Sequence, residues 1–255
     1  MSRRNRPGSK PRKHPATFAY IHPGEVSAAF CFSFARMMVF EIGRTGSAPH
    51  VIAQRVPSGG LVKARNEVTA NFLEQPSEWL VWCDADMGFA HDAVGGLLIS
   101  ADPTERPVVG GLAFAMKNGG GTDWDLQAER YRHCPTVYRW VETDSEAGFQ
   151  AITDYPRDAL VKVSATGAAF MCVHRTLLEK IRDQFGPNWF TPIQHPKRTE
   201  PFGEDFSFFV RVAAVDATAW VNTAIKTSHD KGGIFLTEET WDAQQQLAQI
   251  RGELD

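Results

Sequence analysis

Asp84 and Asp86 are the residues of this chain best suited to chemistry. They close the run Trp79-Leu80-Val81-Trp82-Cys83-Asp84-Ala85-Asp86, where an apolar strand gives way to two acids. In extended backbone, residues i and i+2 face one side, so this spacing lets both carboxylates meet one ligand. In open α/β sheets ligands bind at the carboxyl ends of strands. Two hard oxygen donors there suit Mg²⁺ or Mn²⁺, ions that commonly pair with substrate phosphates. A second pair, Asp123-Trp124-Asp125, lies beside three glycines with no buried strand before it. It reads as loop solvation or an acceptor contact.

Two further clusters carry polar chemistry. Glu204 and Asp205 follow Gly203 at the start of a helical pattern (Phe206, Phe209, Val210, Ala213). Acids in a first turn favour the helix, and a carboxylate there can also serve as a general base. His229 lies in Thr227-Ser228-His229-Asp230-Lys231-Gly232-Gly233, a polar stretch read as a loop after the last strand. Imidazole is a competent ligand for Mn²⁺, so His229 matters if the fold brings it to Asp86. His22 and Pro23 end the first strand, where they line a nucleotide pocket or simply make a turn. Arg65, inside a helix, reaches a phosphate with its planar fork or joins a solvated face. The chain has no GxxxxGK[ST], GxGxxG or GxSxG, which leaves P-loop ATPase, Rossmann oxidoreductase and α/β-hydrolase readings without support.

The elements that must position these groups alternate. Apolar runs predict strands at 16–22, 50–55, 79–83, 107–114, 136–141, 159–163, 167–173 and 219–225. Helical spacing predicts helices near 26–40, 61–74, 91–100, 176–185 and from 206. Ser58 is a candidate cap for the second helix. Residues 186–203, rich in Pro and polar groups, read as a flexible surface loop. Its Trp189 and Phe190 either stack on a sugar face or pack in the core. Alternating elements imply an α/β fold with a mostly parallel central sheet flanked by helices, with room for antiparallel additions.

Composition bounds the rest. The chain has 255 residues, 43% hydrophobic and 22% charged, as in a globular protein. No apolar run approaches the roughly 18 residues of a membrane span. Four scattered cysteines without a CxxC fit a reducing cytoplasm rather than a zinc finger or disulfide framework. Net charge is −3, yet residues 1–16 hold six basic groups and no acid, so the remainder sums to −9. The acidic body argues against specific nucleic-acid binding. The expectation is a basic, disordered tail over 1–16 and one catalytic domain over 17–255, with the tail free to dock on a large acidic partner.

Taken together, the strand ending in Asp84-Ala85-Asp86, the small-residue run Gly167-Ala168-Ala169-Phe170-Met171, Gly203-Glu204-Asp205 and the downstream His229 resemble the GT-A fold glycosyltransferases. The family 2-like enzymes of bacteria and bacteriophages are the nearest pattern. The resemblance implies a nucleotide-diphospho-sugar donor, a UDP-sugar first among candidates, and Mn²⁺ or Mg²⁺ as cofactor. It also implies an acceptor hydroxyl on a glycan or protein. It assigns Asp86 and His229 to the metal, with Asp84 on the metal shell or the ribose. It gives Asp205, beside Glu204, to the acceptor as base in an inverting reaction. His22, Pro23 and Arg65 fall to the donor nucleotide, and Gly167 and Ala168 to the donor sugar. It leaves inverting and retaining chemistry open. A host-cell cytoplasm follows if the source is a bacteriophage. The alternatives are a sugar-phosphate nucleotidyltransferase and a non-catalytic nucleotide-sugar-binding module.

Overall fold

The computed structural model describes residues 14–118 and 131–250. The Asp123–Asp125 pair and most of the basic tail lie outside the described residues. The chain begins with β1 (Ala16–His22), α1 (Ala28–Thr45), β2 (His50–Arg55), α2 (Gly60–Leu73) and β3 (Trp79–Asp84). β4 (Met87–Phe89), α3 (Ala93–Ser100), β5 (Val108–Leu112), β6 (Phe114–Asn118) and β7 (Tyr131–Pro135) follow. Next come β8 (Tyr138–Glu142), β9 (Ala147–Ala151), β10 (Leu160–Val163), β11 (Phe170–His174) and α4 (Arg175–Phe185). The last elements are α5 (Glu204–Ala214), β12 (Ala219–Asp230), β13 (Phe235–Leu236) and α6 (Glu238–Ile250).

A nine-stranded sheet carries the fold, in the order β10-β12-β5-β11-β3-β1-β2, with β4 and β13 also pairing β12. β1, β2, β3, β5 and β12 run one way, whereas β11 and β10 run against them. The sheet is therefore mostly parallel in direction, with the antiparallel additions in its later half. β6–β7 and β8–β9 form separate two-stranded hairpins.

The core explains why these runs fold as they do. β3 and β11 are buried along nearly their whole length, so they read as continuous apolar runs rather than alternating ones. Leu80, Trp82, Met171 and Val173 pack with Val68 and Phe72 of α2 on one face. Val81, Cys83 and Cys172 pack with Phe30 and Met37 of α1 on the other.

Some sequence expectations change, and one open choice closes. The second helix starts after Gly59, and Ser58 makes no capping bond. Trp189 and Phe190 belong to the core: both are fully buried, and Phe190 stacks on Phe208 at 4.8 Å. The start of the 186–203 segment is tied down, with Asn66 accepting from the Phe190 N–H at 2.9 Å and reaching Thr191 Oγ1. Finally, the last long strand continues through Asp230, so His229 stands on a strand and not in a loop.

Candidate metal centre

The Asp84–Asp86 pair owes its convergence to a turn. β3 ends at Asp84, Ala85 and Asp86 turn, and β4 starts at Met87. The expected i, i+2 facing in extended backbone is thus replaced by a reversal that brings Asp86 back over the strand end. Two backbone bonds fix it: the Ala85 carbonyl accepts from the Ser27 N–H at 2.8 Å, and the Asp86 carbonyl from the Asp230 N–H at 2.9 Å. β4 then pairs antiparallel with β12, placing Met87 opposite His229. Gly88 lies close against β12 here: a Cβ would lie 2.4 Å from Ser228 Oγ, which would have to turn aside.

Through that pairing, Asp84, Asp86 and His229 each bring one ligand atom within 4.8 Å of the others. The imidazole is oriented for a cation. Nδ1 lies 3.0 Å from the Phe114 carbonyl, which can only accept, so Nδ1 carries the proton. Nε2, buried and 3.2 Å from Asp86 Oδ1, is left to face the acids, either with a proton or with its lone pair. A lone pair facing a carboxylate oxygen needs a proton or a metal ion between them. Metal-bound histidines make this same outward N–H bond to a carbonyl. The residues fit a divalent cation, and the mixed nitrogen and oxygen set suits Mn²⁺ better than Mg²⁺.

Lys231, which sequence reading did not single out, completes the surroundings. Its Nζ donates to Asp86 Oδ2 at 2.8 Å. Partial burial raises the Asp86 pKa, but His229 and Lys231 outweigh it and hold the carboxyl at about 2. A cavity of about 440 Å³ opens over these acids, walled by Ile21, Pro23, Val26, Leu61, Asp84 and Asp86 among others, and by the Gly232–Gly233 turn. Pro23 lines this cavity. His22 does not: it is not among the lining residues, its ring lies 5.9 Å from that of Tyr20, and its carbonyl accepts from Val56 N–H.

Arg65 departs furthest from expectation. Its side chain is only 2% exposed. Its guanidinium lies over the touching rings of Trp82 and Phe190, 5.4 and 5.5 Å from their centroids. Its Nη2 donates to Asp84 Oδ1 at 3.2 Å and stands 3.7 Å from Asp205 Oδ1. The guanidinium is spent on two carboxylates inside the protein rather than on a phosphate outside it. It links the β3 acids to the start of α5, where Glu204 and Asp205 form the first turn. Ala168 joins the same junction: its N–H donates to Asp205 Oδ2 at 3.1 Å. Gly167 precedes it, packed against Thr136. Burial raises the Asp205 pKa, Arg65 pulls it down, and Glu204 and Asp84 push it up again, leaving it at about 6.

No protein-family model matches the chain, and no curated protein matches it. Solved structures do. The protein A197 from STIV aligns over 89% of this chain and 91% of its own, with a TM-score of 0.52 and 15% identity. GalNAc-T7, solved with UDP, GalNAc and Mn²⁺, aligns over 86% of this chain with a TM-score of 0.52 and 12% identity. The chain spans 44% of that larger protein. A 4-diphosphocytidyl-2C-methyl-D-erythritol synthase from Anaerococcus prevotii aligns over 92% of this chain and 98% of its own, with a TM-score of 0.38 and 10% identity. The chain has the GT-A glycosyltransferase fold. Among the described residues, no helix is long and apolar enough to cross a membrane.

Proposed function

We propose that this chain is a metal-dependent glycosyltransferase that moves a sugar from a nucleotide-diphosphate donor, a UDP-sugar first, to an acceptor hydroxyl on a glycan or protein. The observation that carries the reading is the convergence of His229 with Asp84 and Asp86, the two acids that line the cavity of about 440 Å³. The GT-A fold supports it, and so does the Mn²⁺ and UDP held by GalNAc-T7.

Asp84, Asp86 and His229 would hold the ion, and Mn²⁺ or Mg²⁺ bound there supplies Lewis-acid stabilisation of the departing diphosphate. Pro23, Val26 and Leu61 give the cavity an apolar wall for the nucleoside. Lys231 holds Asp86 Oδ2 with its ammonium and adds a positive charge beside the ion. Asp205 takes the acceptor proton if the reaction inverts, and a pKa near 6 suits a base working at neutral pH. Arg65 Nη2 holds Asp84 by a hydrogen bond and places its charge beside Asp205. In this reading residues 17–255 act as one catalytic domain.

A donor screen that measures UDP or GDP release with Mn²⁺, comparing wild type with Asp86→Ala, tests the reading. Release by wild type alone supports it. Equal release by both removes the metal assignment. Pyrophosphate release from a nucleoside triphosphate and a sugar phosphate would favour a nucleotidyltransferase instead.

A further inference from the structure

The β8–β9 hairpin packs on the first turn of α5. Phe149 of β9 stacks on Phe206 at 4.7 Å, and the Tyr138 ring of β8 meets Phe206 edge-on at 5.0 Å. Phe206 directly follows Asp205. The segment leading into α5 is tied to the same hairpin. Arg198 lies over the Phe202 ring at 4.5 Å, and its Nη1 donates to the Ala147 carbonyl at 3.2 Å. Lys197 Nζ donates to Glu142 Oε1 and to the Thr143 carbonyl, both at 2.8 Å. Between hairpin and segment opens a cavity of about 630 Å³, and none of its lining residues lines the cavity over Asp84 and Asp86.

Its walls are polar and their charges balance. Thr143, Ser145 and Thr199 offer hydroxyls, and Gln150 an amide. Lys197 is neutralised by Glu142, which leaves Arg198 and Glu146 as one cation and one anion on the lining. Arg198 meets two carbonyls and a ring, and among the described residues no carboxylate. An anionic ligand gains little from charges that cancel. An apolar ligand would strip water from these groups without replacing its hydrogen bonds. A peptide strand takes its specificity from pockets for alternate side chains, and only three of the lining side chains are apolar. An uncharged ligand that carries many hydroxyls can donate and accept along the whole wall. Neutral carbohydrate is that class.

We infer that this groove holds the distal sugars of a neutral oligosaccharide acceptor whose terminal hydroxyl lies at Asp205. The inference rests on the transferase reading and narrows its acceptor, a glycan or protein, to a glycan. Val141, on the groove, stands three residues along β8 from Tyr138, roughly 10 Å at the usual rise of a strand. A chain of sugars fills the groove and still reaches the first turn of α5, where a single sugar does one or the other.

The full chain, without metal or donor, is titrated with maltotetraose, cellotetraose and tetra-N-acetylchitotetraose, and binding is read by saturation-transfer NMR on the ligand. Tetragalacturonic acid and a synthetic Ser/Thr-rich peptide are the comparison probes. At least one neutral tetrasaccharide should bind, and the matching disaccharide should bind about tenfold more weakly. Ser145→Trp with Thr199→Trp fills the groove and should lower the tetrasaccharide affinity tenfold or more. Both positions are exposed, so the melting temperature should stay at the wild-type value. Thr199→Ser keeps the hydroxyl and should bind like wild type. Three results overturn the inference. The first is no binding of any neutral tetrasaccharide. The second is undiminished binding by the double Trp variant. The third is binding of the acidic oligosaccharide or the peptide alone. After any of these, UDP release with Mn²⁺ that is lost in Asp86→Ala leaves the transferase reading standing with another acceptor. Equal UDP release by wild type and Asp86→Ala removes that reading instead, and the acceptor role of the groove with it.

Discussion

Asp86 and Asp205 lie on either side of one acidic junction, and their surroundings push them in opposite directions. Asp86, at the end of β3, has an imidazole and an ammonium against it, and its pKa falls to about 2. Asp205, at the start of α5, shares one guanidinium with Asp84 and has Glu204 beside it, and its pKa rises to about 6. The lesson is that charge count and burial, not residue type, assign the roles. A carboxylate that stays ionised suits a cation, and one that accepts a proton near neutrality suits a base.

Breaking the first side should cost most. Asp86→Ala removes a ligand and leaves Lys231 unpaired, and turnover in the donor assay should fall about 10⁴-fold, the scale of several kcal/mol of Lewis-acid stabilisation. Asp205→Asn removes the base but keeps the shape. In an inverting reaction turnover should fall about 10²- to 10⁴-fold while Mn²⁺ affinity is unchanged. A variant with full turnover would point to retention, with the leaving phosphate taking the proton.

Arg65→Met attacks the link between the two sides. It leaves Asp84 and Asp205 without their shared cation, and unfolding by denaturant should show a loss of about 3–5 kcal/mol, as for a broken buried pair. Lys231→Ala should act more gently, weakening UDP binding with Mn²⁺ about tenfold by calorimetry, in line with about 1.5–3 kcal/mol for a hydrogen bond to a charged group at most.

The smallest effects concern pH, and the two sides have opposite signs. The Asp205 pKa is raised from 3.8, so its share of stability is full below 3.8 and is lost as pH rises through about 6. Asp205→Asn should therefore be relatively more stable above pH 6 than wild type. Turnover that uses Asp205 as base should rise with pH through the same point. The Asp86 pKa is lowered from 3.8, so its share is present above 3.8 and is lost as pH falls toward 2. Metal-free wild type and Asp86→Asn, melted across this range, should converge at the acid end.

Much of the scaffold was legible because buried strands and amphipathic helices announce themselves. β2 matches its expected bounds, and β3 and α4 come within one residue of theirs. Asp84, Asp86 and Asp205 stood out because acids after an apolar strand, or in a first helical turn, are chemically conspicuous. What was hidden is polar structure. β12 alternates buried and open positions through Thr227 and His229, but its buried residues there are polar, so hydrophobic periodicity ended the strand at 225. α6 buries little besides Glu238 and Trp241 and gave no apolar stripe to read. Arg65 was expected to reach a phosphate or join a solvated face because an arginine in a helix is usually wet. Only the packing of Trp82 and Phe190 around it shows that it is an internal clamp. Lys231 gave one signal that was available, a cation beside a Gly-Gly turn and two residues after His229.

The central claim is that His229 and the β3 aspartates share one cation. Titrating Mn²⁺ into the metal-free protein with UDP present, and following free Mn²⁺ by electron paramagnetic resonance, tests it most directly. One equivalent should bind, and His229→Ala should weaken that binding at least about tenfold while leaving the fold intact, the size expected for loss of a ligand or its support. Equal binding by wild type and His229→Ala, or none by wild type, would contradict it.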